Sequence, residues 1–133
     1  MHLPIVYMAH PLGAGPARSV NLARARIWYR WIATNFDVAV SADWVLLASL
    51  WEETPQNRQR GLAMDVAHIQ RVDALWLVGG RVSEGMGIER DAARLAGKRI
   101  VDRTWLGEMP DDKAISGVVK HCAEHGFHVA LAA

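Results

Sequence analysis

Residues 73–98, DALWLVGGRVSEGMGIERDAARLAGK, decide the fold. Residues 74–78 (ALWLV) are continuously apolar, as a parallel strand covered on both faces must be. Gly79, Gly80, Gly85 and Gly87 follow, a stretch where the backbone can turn sharply and let a ligand approach closely. A helix is expected next, with Glu89 in its first turn, where unpaired N–H groups and a partial positive charge gather. Buried strand, glycine-rich loop and acidic helix start together mark a place for chemistry on an anion or a sugar.

Outward from this unit, the same alternation repeats. Residues 3–9 (LPIVYMA) form a first strand, and residues 18–35 a helix. Its buried stripe is expected at Val20, Ala23, Ile27, Trp31 and Ile32, with Arg18, Arg24, Arg26 and Arg30 facing water. A second strand is expected at 36–41, then a loop with a short helix over 42–54. Pro55 opens a helix running to about residue 71, with Leu62, Val66 and Ile69 inward. Gly97 stops the helix after the glycine loop, and residues 98–102 form a fourth strand. Asp111 and Asp112 can cap a helix through residue 125, and residues 127–131 a fifth strand. The alternation predicts an α/β fold: a flavodoxin-like, Rossmann-like doubly wound parallel sheet of five strands with helices on both faces. Ligands of such sheets bind beyond the carboxyl ends of the strands. The loops over 9–17, 42–56 and 79–86 therefore share one pocket.

The 133 residues make one domain, with no repeat, low-complexity run or linker. A formal net charge of +1 gives no basis for binding a nucleic-acid polymer or an anionic membrane surface. A single cysteine, Cys122, excludes an internal disulfide and a multi-cysteine zinc site, and is expected to pack in the core. No stretch has the length and purity of a membrane span, so a cytoplasmic location is expected. Six tryptophans exceed what the core needs, and residues 44–51 (WVLLASLW) suit a contact surface.

Glu89 shares its helical stripe with Ala92, Ala93 and Ala96, which turns it toward the sheet. A carboxylate held there can act as a nucleophile toward an anomeric carbon, whereas an exposed glutamate would merely favour the helix dipole. Ser83 and the neighbouring N–H groups can form a nest for one phosphate, or the serine can satisfy its own turn. Gly85-Met86-Gly87 lacks the third glycine of a dinucleotide fingerprint, since Arg90 stands there. Asp65 and His68 have an i, i+3 spacing that can hold a metal, but no third ligand accompanies them, and no metal is expected. His121 and His125 read as structural. His10, in the first loop, either touches the substrate or is a solvated loop residue.

These residues carry a resemblance. The chain resembles the nucleoside 2-deoxyribosyltransferase-like superfamily, in particular its small phage and bacterial members. It is similar in Tyr7-Met8-Ala9-His10-Pro11, in Asn21 and Ala25, in Pro55, Arg58, Gly61 and Leu62, and in Asp73, Trp76 and Gly79. The most specific part is Ser83-Glu84-Gly85-Met86-Gly87-Ile88-Glu89. The resemblance implies N-glycosidic chemistry on a small-molecule nucleoside or nucleotide, with no cofactor and with assembly into a homo-oligomer. It implies that Glu89 is the nucleophile, and that Tyr7, His10, Asn21, Asp43, Ser83, Gly85 and Met86 bind substrate. Ser83, six residues before Glu89, resembles the branch that hydrolyses nucleoside monophosphates; transferases of free nucleosides usually carry Asp there. The chain departs from the pattern at His10, where Gly is usual, and at Ala42-Asp43, where Pro-His is often found. Asp73 is expected to be scaffold, capping or pairing with Arg71, rather than a second catalytic carboxylate.

Overall fold

The structure, a computed structural model, describes residues 2–111 together with Gly117, Val118, Lys120 and Glu124. Four parallel strands, β1 (Ile5–Ala9), β2 (Ala39–Ser41), β3 (Ala74–Leu77) and β4 (Arg99–Asp102), form one sheet in the order β2-β1-β3-β4. Helix α1 (Pro16–Asn35) joins β1 to β2, α2 (Asp43–Leu50) and α3 (Pro55–Ile69) join β2 to β3, and α4 (Glu84–Leu95) joins β3 to β4. The chain steps one way from β1 to β2 and the other way through β3 to β4. Right-handed crossovers then place α1 on one face and α3 and α4 on the other, and α3 packs against α4. This is a Rossmann-like α/β fold. Its described sheet has four strands, not five: the expected strand at 127–131 lies outside the described residues, as do most of the expected helix after residue 111, Cys122, His121 and His125.

The central strands are apolar for the reason read from the sequence. Every residue of β3 is buried, as are Val6, Tyr7, Met8 and Ala9 in β1. Under α1 an edge-to-face run of rings, Trp28–Trp31–Phe36–Trp76, has centroids 5.5, 5.3 and 5.2 Å apart, the spacing at which ring edges meet ring faces favourably. Four of the six tryptophans are thus core: Trp28, Trp31, Trp44 and Trp76. Indole N–H groups also tie distant segments together, Trp28 to the Glu108 carbonyl at 2.8 Å and Trp44 to the Met8 carbonyl at 2.9 Å.

Two helix readings are corrected. In α1 the buried face is Asn21, Ala25, Trp28 and Ile32, together with Trp31 and Asn35, while Val20, Ala23 and Ile27 are exposed. Trp28 buries more area than Val20 or Ile27, and Asn21 donates to the Leu12 carbonyl at 2.9 Å, so a polar residue belongs to the inward stripe. Arg18 and Arg24 are half-buried rather than solvated, whereas Arg26 and Arg30 are exposed. Helix α4 begins at Glu84, earlier than expected, because the Ser83 hydroxyl caps it by accepting from the Met86 N–H at 3.3 Å. Gly85 and Gly87 are consequently helical, and Glu89 stands in the second turn, past the unpaired N–H groups. The sharp turn falls to Gly79 and Gly80, at φ 103° and 86°, values that L side chains avoid.

Asp73 ties the entrances of β1 and β3. Its N–H donates to the Ile5 carbonyl at 2.8 Å, and its carboxylate accepts from the Ile5 N–H at 2.7 Å. Arg71 instead donates to the Ala67 carbonyl, at 2.8 Å. Asp73→Ala is expected to cost about 1 kcal/mol, one exposed charge-assisted hydrogen bond, read as a lower urea midpoint at unchanged m-value; an unmoved midpoint would show that water replaces the carboxylate without loss.

Candidate active site

Each carboxyl at the site arrives on its own helix. Asp65 projects from α3 and Glu89 from α4, and the packing of these helices brings both toward the middle of β1, where Tyr7 is fully buried. The Tyr7 hydroxyl interacts with both carboxyls, although neither contact reaches full hydrogen-bond geometry. The two carboxyls line a cleft of about 150 Å³ that also takes in His10, Ser83, Gly85 and Met86, whereas Tyr7, expected to bind substrate, lies buried behind them and does not line it. Its far wall is α2 and the turn after it, with Trp44, Leu47 and Trp51, and Arg18 and Arg58 stand at its edge.

Burial sets the protonation of this cluster. It pushes the Glu89 carboxyl up to about 8, with the Asp65 charge adding to the rise and the Tyr7 hydroxyl opposing it. It pushes Asp65 up to about 6, against the Tyr7 hydroxyl and the nearby His68. The Tyr7 phenol is raised well above its ordinary value by burial and by the two carboxyls, so it stays neutral and keeps its proton. Near neutral pH the carboxyl pair holds one proton.

His10 forms the crest between the ends of β1 and β3. Its Nδ1 lies 2.6 Å from the Pro11 carbonyl, which only accepts, so Nδ1 carries the hydrogen and Nε2 is bare. Nε2 is buried without a partner and packs over Gly79. Burial, with Arg24 and Arg81 acting in the same direction, lowers the imidazole to about 4 against the Pro11 contact. His10 is therefore a neutral wall residue and not a solvated one.

The other expected site residues divide. Ser83, Gly85 and Met86 reach the cleft through the first turn of α4, where capping leaves the N–H groups of Glu84 and Gly85 unpaired. Met86 is buried, and its sulfur receives the Ser83 N–H at 3.4 Å. Asn21 and Asp43 lie outside the cleft. Asn21 holds the first loop through Leu12 and borders a second cavity. Asp43 is exposed at the start of α2, 3.6 Å from His68 Nε2, and lines a separate cavity of about 450 Å³ with Tyr29 and Leu46. His68 thus turns to Asp43, and among the described residues no three His, Cys, Asp or Glu side chains converge as metal ligands.

Sequence reasoning missed Asp65 as a site residue. The signal was its phase: Leu62, Asp65 and Ile69 fall at i, i+3 and i+7, one inward stripe, and a carboxylate in such a stripe needs a reason to be there. The segment 44–51, read as a contact surface, splits: Trp44, Leu47 and Trp51 face the cleft, while Leu46 and Leu50 are exposed.

The chain is thus an α/β protein in which two buried carboxyls line one cleft beside a four-stranded parallel sheet. The chain belongs to the family described as Domain of unknown function (DUF7768), which matches residues 4–103 and so spans β1 through β4 with every residue of the cleft. No curated protein matches the chain.

Proposed function

We propose that the protein cleaves the N-glycosidic bond of a nucleoside 5′-monophosphate, releasing the base. The observation that carries this reading is the convergence of Glu89 and Asp65 over the Tyr7 phenol beside the N-terminal turn of α4. Bond cleavage at an anomeric carbon needs an ionised carboxylate facing C1′ and a proton for the departing base. A carboxyl pair holding one proton contains both. Positive charge developing on the sugar favours the ionised form of Glu89, so its proton passes to Asp65; the Glu89 carboxylate then attacks C1′ while Asp65 delivers that proton to the departing base. Water entering afterwards loses its proton to Asp65 and frees the sugar from Glu89; a second base in place of water gives transfer instead. The Tyr7 hydroxyl, neutral throughout, steadies whichever carboxyl is charged. Ser83 and the N–H groups of Glu84 and Gly85 suit the 5′-phosphate, because the α4 dipole favours an anion there. The similarity of the stretch 83–89 to the nucleoside 2-deoxyribosyltransferase-like superfamily supports the same assignment, and exposed Leu46 and Leu50 on α2 suit a homo-oligomer contact.

Purified protein incubated with ribo- and deoxyribonucleoside monophosphates is expected to release free base. Its kcat/KM should follow a bell in pH, falling below about 6 as Asp65 and Glu89 are both protonated, and falling above about 8 as both ionise. Absence of base release from every nucleotide tested overturns the assignment; a profile flat from pH 5 to 9 overturns the shared proton.

One observation favours a second reading. A Glu89 that retains its proton up to about 8 is a weak nucleophile in the free protein, which suits a nucleotide-binding sensor without turnover. Nucleotide-induced thermal stabilisation with no base release, equal in Glu89→Gln, would establish it.

A further inference from the structure

The cleft around Glu89, about 150 Å³, is small for a nucleotide, since sites that enclose such ligands run to roughly 300–1,000 Å³. A second cavity of about 320 Å³ lies across His10, between the loop after β1, helix α1 and the loop after β3. His10 lines both and divides them at the β1/β3 switch point, the crevice where doubly wound sheets take ligands. The charged groups of this second cavity are Arg24, Arg81 and Glu108, with Asn21, Gly79 and neutral His10 between them. Arg24 and Glu108 pair at 3.2 Å. Arg81 has no ion pair among the described residues, so the cavity carries a net positive charge. Arg81 also lies two residues before Ser83, and the connection from Gly79 to Ser83 leads from one cavity to the other.

Resting on the nucleotide reading above, we infer that the second cavity is a polyphosphate subsite: the 5′ end of the substrate runs from Ser83 past Arg81 toward Arg24, so that a nucleoside di- or triphosphate fits better than a monophosphate. The first phosphate sits at the α4 turn. The next ones meet the Arg81 guanidinium, a group whose fork matches phosphate oxygens, and compete with Glu108 for Arg24. The positive potential that this requires is already felt by His10, on which both arginines act.

The test uses the full chain and two variants outside the carboxyl pair, Arg81→Gln and Glu108→Gln. The second leaves the Trp28 bond intact, because that bond goes to the Glu108 backbone. Isothermal titration with adenosine and cytidine mono-, di- and triphosphates, and with inorganic tripolyphosphate, reads the subsite independently of catalysis. Di- and triphosphates should bind about tenfold more tightly than monophosphates, one good charge-assisted contact. Arg81→Gln should erase that gain without weakening the monophosphate, and Glu108→Gln should enlarge it severalfold. Equal affinity for mono- and triphosphates, or a gain that survives Arg81→Gln, overturns the subsite. Tripolyphosphate binding that depends on Arg81, in a protein that releases no base, keeps the subsite and discards the glycosidase.

Discussion

Glu89→Gln is expected to lose base release by about 10³-fold or more while making the protein more resistant to alkali. The two effects share one cause. The carboxyl is buried and holds its proton up to about 8, against an ordinary value of 4.5. The folded state thus binds this proton more tightly than the unfolded state does. Its contribution to stability is fully present below about 4.5 and is lost as pH rises through about 8. Glutamine has the same shape and no proton to lose. The stability difference between variant and parent should therefore grow from pH 5 upward and level off above pH 8, reaching on the order of 3–5 kcal/mol, or roughly 10 °C in Tm. Thermal unfolding at pH 5, 7 and 9 reads the stability arm, and single-turnover base release reads the chemical arm. Equal Tm differences at all three pH values would contradict the buried-acid account, and undiminished base release would remove Glu89 from the chemistry. Under the proposed function, a group that costs stability at the pH where it would work is what selection for activity rather than for folding leaves behind.

Gly79→Ala is the second large effect. A Cβ at this position would lie 2.6 Å from His10 Cδ2 and 2.7 Å from Pro11 Cδ, and the backbone is at φ +103°. The colliding groups are a buried ring and a proline, neither a flexible chain end. Left-handed strain of about 1–2 kcal/mol adds to overpacking of about 1–3 kcal/mol, so a loss of roughly 3 kcal/mol is expected in urea denaturation. The His10 wall between the two cavities must shift as well. Gly87→Ala is the control: it lies inside α4 with nothing within 4 Å of a new Cβ and should gain about 0.5–1 kcal/mol from helix propensity. Like signs for the two substitutions would refute the close approach of Gly79 to His10.

Much of the fold was legible because its signals are local. The run 74–78 announced a buried strand, Pro55 a helix start, and Gly97 a helix stop, and each has its counterpart in β3, α3 and the turn after α4. What was not legible depends on distance or on competition. The inward face of α1 is set by a carbonyl of Glu108, eighty residues on from Trp28, and by the Leu12 carbonyl that Asn21 reaches; hydropathy alone favoured Val20 and Ile27. The start of α4 was displaced because the glycines suggested a loop, whereas the Ser83 hydroxyl supplies a cap strong enough to carry them into the helix. At the site, Glu89 and Ser83 stood out within one short stretch. Asp65 did not, because its meaning comes from α3 packing on α4, and only tertiary structure brings its carboxyl to the Tyr7 phenol. Asp43 erred the other way: adjacent to the end of β2 in sequence, it faces His68 and solvent instead of the cleft.

Tyr7 is paired on both sides, opposite Ser41 of β2 and opposite Leu75 of β3. The phenol is consequently anchored to the stiffest part of the molecule, while the two carboxyls ride on helices and the opposing wall is a short helix followed by a turn. In a reaction that moves charge between a carboxylate and a sugar, the energy lost to rearranging surrounding dipoles is a large part of the barrier in water. Here the Tyr7 phenol, which acts on both carboxyls, is carried by a strand paired on both sides. In the proposed reaction the middle of the sheet would thus serve as an electrostatic reference that does not have to move.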